Sequence, residues 1–163
     1  MKEWHENADF ARDSTNPMHL LTPYEPYLRS LCRIMVGFTF SLHGWQKFFG
    51  WIGGQRVEDL TSMLGMAGVL ETFGGALIIL GLVTRPVAFL LSGEMAVGYF
   101  RTHAPMGLWP IMGAGGNNGE LAVFYCFFYL WLSSAGPGPW SLDRIFKLGD
   151  YSAKSEKSAP VAV

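Results

Sequence analysis

The sequence predicts an all-α fold: an integral membrane bundle of four helices with both termini in the cytoplasm. Three observations carry that expectation. Half of the 163 residues are apolar and only 15% are charged. The charges are unevenly placed: between Leu60 and Phe100 they are Glu71, Arg85 and Glu94, and the 22 residues from Leu121 to Leu142 carry none. A surface helix in water needs a polar face recurring about every 3.6 residues, so a charge-free stretch of that length requires apolar surroundings. One helix could be buried on all sides of a soluble bundle, but four in so short a chain could not. Finally, the apolar stretches approach the roughly 20 residues that cross a bilayer.

Each element follows from its punctuation. Residues 1–26 read as a polar cytoplasmic tail with Lys2, Glu3, Glu6, Asp9, Arg12 and Asp13, closed by Pro23 and Pro26. Residues 27–148 form the membrane domain. Its first span runs from Tyr27 to Phe49, ahead of Gly50, Gly53 and Gly54. The second covers Met63 to Leu82 and ends at Thr84-Arg85-Pro86, where proline blocks continuation. The third starts at Pro86, a favourable first helical position, and ends near His103. A Gly/Pro-rich connection, Ala104 to Asn117, leads to the fourth span, Asn118 to Ala135, and Gly136-Pro137-Gly138-Pro139 breaks the chain. Ser141 is placed to cap a short interfacial helix bearing Leu142, Ile145, Phe146 and Leu148. Residues 149–163 read as a disordered tail.

Lys and Arg set the orientation. The side holding both tails and the Thr84-Arg85 turn collects Lys2, Arg12, Arg29, Arg85, Arg144, Lys147, Lys154 and Lys157, against Lys47, Arg56 and Arg101 opposite. That asymmetry puts the termini inside, in a multi-pass protein of the plasma (inner) membrane. No apolar segment precedes the first span, so no cleaved signal peptide is expected. The net charge of -1 gives no reason to expect a nucleic-acid partner. Cys32 and Cys126, on different spans and outside any CxxC pattern, read as buried structural thiols.

Polar residues within the spans carry the functional information, because a charge in hydrocarbon faces the bundle interior or a water-filled cavity. Arg33, Val36, Phe40, His43 and Lys47 recur at spacings that share one helix face. Depth counting at about 1.5 Å per residue puts Glu71 and Glu94 roughly 12 Å below the outer surface, with His43 shallower. The expected result is a polar pocket in the outer half, floored by Glu71 and Glu94 and rimmed by His43, Lys47, His103, Asn118 and Glu120. The alternative is a set of ion pairs that only glue helices together. Gly65, Gly68, Gly74, Gly75, Ser92, Gly93, Ala96 and Gly98 read as helix-packing residues.

The ordered motifs resemble the DoxX family of small four-helix bacterial membrane proteins. They are His43-Gly44-Trp45-Gln46-Lys47 with Phe49-Gly50, Gly68-x-x-Glu71 with Gly74-Gly75, and Gly81-Leu82-x-Thr84-Arg85. Then come His103-Ala104-Pro105 with Trp109-Pro110, Asn118-Gly119-Glu120, and Gly136-Pro137-Gly138 with Trp140-Ser141-Leu142-Asp143. The resemblance implies membership of a respiratory or thiol-redox assembly, and a quinone as the cofactor class. Under that reading His43 or Lys47 hydrogen-bonds a quinone carbonyl, and Glu71 or Glu94 exchanges a proton. A non-catalytic scaffold with its cofactors in a partner is the second class. A metal or haem site is the third, and it lacks Glu-x-x-His spacing or a second histidine within a span. Homo-oligomerisation stays open.

Overall fold

The computed structural model describes residues 20–113 and 115–148. Most of the predicted N-terminal tail and all of the 149–163 tail lie outside the described residues. The described chain is helical, without strands among these residues. We label its helices α1 (Glu25–Phe49), α2 (Met63–Leu80), α3 (Thr84–Gly98, prolonged by a π turn, Tyr99–His103), α4 (Glu120–Ala135) and α5 (Leu142–Ile145).

Local chemistry explains most boundaries. Pro26 lies in the first turn of α1, and Gly50 ends the helix at φ 72°, its N–H bonding the Trp45 carbonyl. Asp59 opens the turn into α2: its carboxylate accepts from the Thr61 hydroxyl and N–H, which holds it below the usual aspartate range. Ser62 then caps α2 by accepting from Gly65 N at 3.1 Å. Inside α2 the residues Leu70–Gly74 form a π turn.

The α2–α3 break differs from expectation. It falls at Gly81 (φ 66°) and Val83 (φ 47°), and α3 begins at Thr84, so Pro86 sits inside its first turn. The physical reason lies 60 residues away: Asp143 accepts from Val83 N at 2.6 Å and Thr84 N at 2.8 Å, capping α3 across space. Helix α4, by contrast, starts later than expected. Asn118 has φ 56°, and the Asn117 side chain takes the Gly119 N–H, so the helical turn begins at Glu120.

Helices α1 and α2 pack along their length, as do α3 and α4. The α1–α2 approach is close at Gly44, where a Cβ would stand 2.4 Å from the Thr72 backbone nitrogen. The two pairs meet in a small core of Phe40, Ile78, Ala88, Leu91, Tyr125, Tyr129 and Leu132. Phe40 stands edge-on to Tyr125 and Tyr129, both at 5.0 Å.

Burial is inverted relative to a protein in water. Arg33 is 0% and Glu71 3% exposed, whereas Phe89 is 66% and Phe127 64% exposed. By length and composition, one helix among the described residues, Met63–Leu80, is long and apolar enough to cross a membrane. The other three expected spans miss that standard for identifiable reasons. Helix α1 bears Glu25, Arg29, Arg33 and Lys47, α3 bears Arg85 and Glu94, and α4 has 16 residues. Cys32 is exposed, not buried, because it precedes Arg33 by one residue and so falls off the inward face. Cys126 is half-buried, its carbonyl accepting from Ser92 Oγ at 2.9 Å.

Candidate functional site

The two ends of the bundle use their polar residues differently. At the end formed by the α2–α3 turn and the Gly136–Pro139 segment, arginines satisfy helix-terminal carbonyls. Arg33 donates to the carbonyls of Ile79 (2.7 Å) and Pro137 (2.9 Å), and also to those of Ile78 and Trp140. Arg29 donates to Ala135 O, and Arg85 to Ser133 O at 3.0 Å and to Ser134 O. The last turn of a helix leaves carbonyls without intrahelical partners; the guanidiniums reach such carbonyls at the ends of α2 and α4, and Arg33 also ties down Pro137 and Trp140 in the segment after α4. Arg33, on the inward face of α1, is structural.

The opposite end, under the α1–α2 and α3–α4 connections, holds a cavity of about 970 Å³. His43, Lys47, Glu71, Glu94 and His103 all line it, drawn from α1, α2 and α3. Two of the expected rim residues do not. Asn118 is exposed and accepts from Gly113 N at 3.1 Å within the connection, and Glu120 is exposed on the first turn of α4. Arg101 joins the lining although it was absent from the expected set. Its seven-residue spacing from Glu94 places both on one helix face and was the available signal.

Within the cavity, Lys47 Nζ donates to Glu71 Oε1 at 2.5 Å. The second Glu71 oxygen and both Glu94 oxygens are buried and accept no hydrogen bond from the described residues. Phe40 and Tyr125 form part of the wall, and the Tyr125 hydroxyl is turned away to donate to Thr39 Oγ1 at 3.1 Å. The His43 ring stands edge-on to Tyr125 at 6.1 Å. His103 Nδ1 lies 2.9 Å from the Asn117 carbonyl. Asn117 itself is fully buried and donates to Gly107 O (2.9 Å) and Tyr99 Oη (3.2 Å), so it folds the connection over the end of α3.

Both π turns serve this site. Leu70–Gly74 carries Glu71, and Tyr99–His103 carries Arg101 and His103. A π turn inserts an extra residue into the helical repeat and re-aims neighbouring side chains, and such turns recur at functional sites. Gly93 and Gly98, read from the sequence as packing residues, also belong here. Both line the cavity, and a Cβ at either would meet nothing within 4 Å. Among the described residues, no three His, Cys, Asp or Glu side chains come together as a metal-holding group.

The sequence model of the DoxX family matches residues 28–104, the stretch that carries α1 to α3 and most of the cavity lining. A Haemophilus influenzae protein, described as uncharacterized, is 40% identical over 134 residues, covering 79% of this chain and 98% of its own length. The chain belongs to the DoxX family. Two further relatives are described as membrane proteins. An uncharacterized membrane protein of Mycobacterium tuberculosis is 32% identical over 128 residues, 69% of this chain and 77% of its own. The inner membrane protein YqjF of Escherichia coli is 28% identical over 122 residues, 71% of this chain and 88% of its own. No solved structure matches this DoxX-family chain.

Proposed function

We propose that this chain is a multi-pass subunit of a respiratory or redox assembly in the inner membrane, whose cavity binds a quinone-like amphipathic ligand. One observation carries the reading: a cavity of about 970 Å³, walled largely by apolar side chains, holds buried carboxylate oxygens that no described residue satisfies. Ligand pockets commonly have that form, of roughly 300–1,000 Å³ with a few placed polar groups. His43, Lys47, Glu71 and Glu94 would meet the polar head, and the exposed apolar residues Leu90 and Val97 of the lining would meet a tail in lipid.

The four helices and α5 then form one membrane domain, residues 27–148, with both termini in the cytoplasm and the cavity in the outer half. Inverted burial supports this, since ionisable groups inside and aromatic groups outside suit hydrocarbon surroundings. A scaffold reading draws support from the arginine–carbonyl contacts at the other end, which serve helix locking alone. The two readings apply to different ends of one molecule, with redox cofactors residing in a partner.

Equilibrium binding of a radiolabelled decyl-benzoquinone to the full chain in lipid nanodiscs tests the proposal. Saturable binding is expected, weakened about tenfold or more when Gly93→Phe fills the cavity with the fold intact. Non-saturable partition, or wild-type affinity in Gly93→Phe, would leave the scaffold reading alone.

A further inference from the structure

We infer that the connection between α3 and α4 is itself a membrane-contacting element. Its apolar side chains insert into the boundary between lipid head groups and acyl chains at the cavity end of the bundle. This rests on the reading that the bundle spans a membrane, and it is independent of what the cavity holds.

The connection carries an apolar patch that water would not tolerate well. Met106, Leu108, Trp109, Ile111 and Met112, five large apolar side chains within seven residues, are each between 54% and 77% exposed. No Asp, Glu, Lys or Arg stands between Arg101 and Glu120. Contiguous exposed apolar patches mark surfaces that meet a protein or a membrane. The companion connection at the same end of the bundle is built otherwise. Between α1 and α2 it exposes Gln55, Arg56, Glu58 and Asp59, as a loop in water does. One side of the bundle end is therefore polar and the other apolar.

Three features favour lipid over a protein partner. The patch continues the exposed apolar surface of both flanking helices, through Phe100 in the π turn of α3 and Leu121 and Phe124 early in α4. Trp109 supplies an amphipathic indole, a residue type enriched where hydrocarbon gives way to head groups. Irregular backbone also survives at membrane depth only where its polar groups are satisfied from within. Here the carbonyls of Gly107, Trp109 and Ile111 accept from Asn117 Nδ2 (2.9 Å), Asn117 N (2.8 Å) and Asn118 N (3.1 Å). Gly113 N donates in turn to Asn118 Oδ1. The buried Asn117 thus draws polar backbone inward and leaves the apolar side chains to face out.

Single nitroxide labels on the full chain in phosphatidylethanolamine–phosphatidylglycerol nanodiscs test the inference. Each label is read by its collisions with oxygen, which concentrates in hydrocarbon, and with a water-soluble nickel chelate. Cys32 and Cys126 are first replaced by alanine. Phe127→Cys, exposed on α4, reports the hydrocarbon, and Gln55→Cys reports water. Labels at Leu108→Cys and Met112→Cys should favour oxygen over nickel at least about fivefold more than the label at Gln55→Cys, as for side chains roughly 5–10 Å into the boundary. A ratio equal to that at Gln55→Cys would overturn the inference and leave the spanning bundle standing. Shielding from both reagents would overturn it as well, by assigning the patch to a protein face. If Phe127→Cys also behaves like Gln55→Cys, the membrane reading fails and this inference with it. The two loop positions are read separately, so either one decides if the other variant does not fold.

Discussion

Two inward-facing cations on one helix show how little residue type alone decides. Arg33 and Lys47 share the inward face of α1, yet Arg33 meets backbone carbonyls and Lys47 meets a carboxylate in a cavity. Lys47→Met should therefore destabilise the fold by about 3 kcal/mol, the low end for a broken buried pair, since Lys47 keeps 27% of its side chain exposed. Adding Glu71→Gln should recover most of that loss, because the orphaned charge is then gone. Reversible unfolding in mixed micelles measures both, and additive losses in the double variant would disprove the coupling. The cavity brings together five of the seven residues expected at the site. Charges in an apolar helix must face inward, so His43, Lys47, Glu71, Glu94 and His103 were legible. Asn118 and Glu120 lie off the cavity, because counting residues gives a height along the bundle and no direction around it. Gly93 and Gly98 failed for a related cause: a missing side chain marks either a close contact or an open space.

At the scale of elements, proline and glycine punctuation made the helices legible to within a few residues. The exceptions are places where a distant segment sets the boundary. The start of α3 depends on Asp143, whose carboxylate holds the N–H groups of Val83 and Thr84, and whose own N–H bonds Gly81 O at 2.8 Å. The family motifs around Gly81-Leu82 and Ser141-Leu142-Asp143 are thus two halves of one junction. Asp143→Ala should cost about 1–2 kcal/mol as a lost helix cap, with faster amide exchange at Val83 and Thr84. Unchanged exchange there would mean that the cap is not maintained. The two π turns were not legible at all. An extra residue in a turn is tolerated only where neighbouring helices accept it, and that information lies in the packing at Gly44 and along α3.

The whole molecule is two helix pairs joined firmly at one end and parted by a cavity at the other. If the proposed topology holds, the loop end faces outward. In a chain with Cys32 and Cys126 replaced by alanine, Gln55→Cys should react with a membrane-impermeant maleimide on intact spheroplasts. Lys147→Cys should react only after permeabilisation, and the reverse pattern would invert the orientation. The arginine end also has a consequence for how the protein is made. Arg33 leaves the ribosome early, but its acceptors at Ile78, Ile79, Pro137 and Trp140 follow 45, 46, 104 and 107 residues later. The first helix must therefore wait, with its guanidinium near lipid head groups or translocon water, until the last segment has been synthesised. Synthesis past Trp140 and final seating of the first helix become one event, so a nascent protein halted after α4 would leave Arg33 short of two of its acceptors.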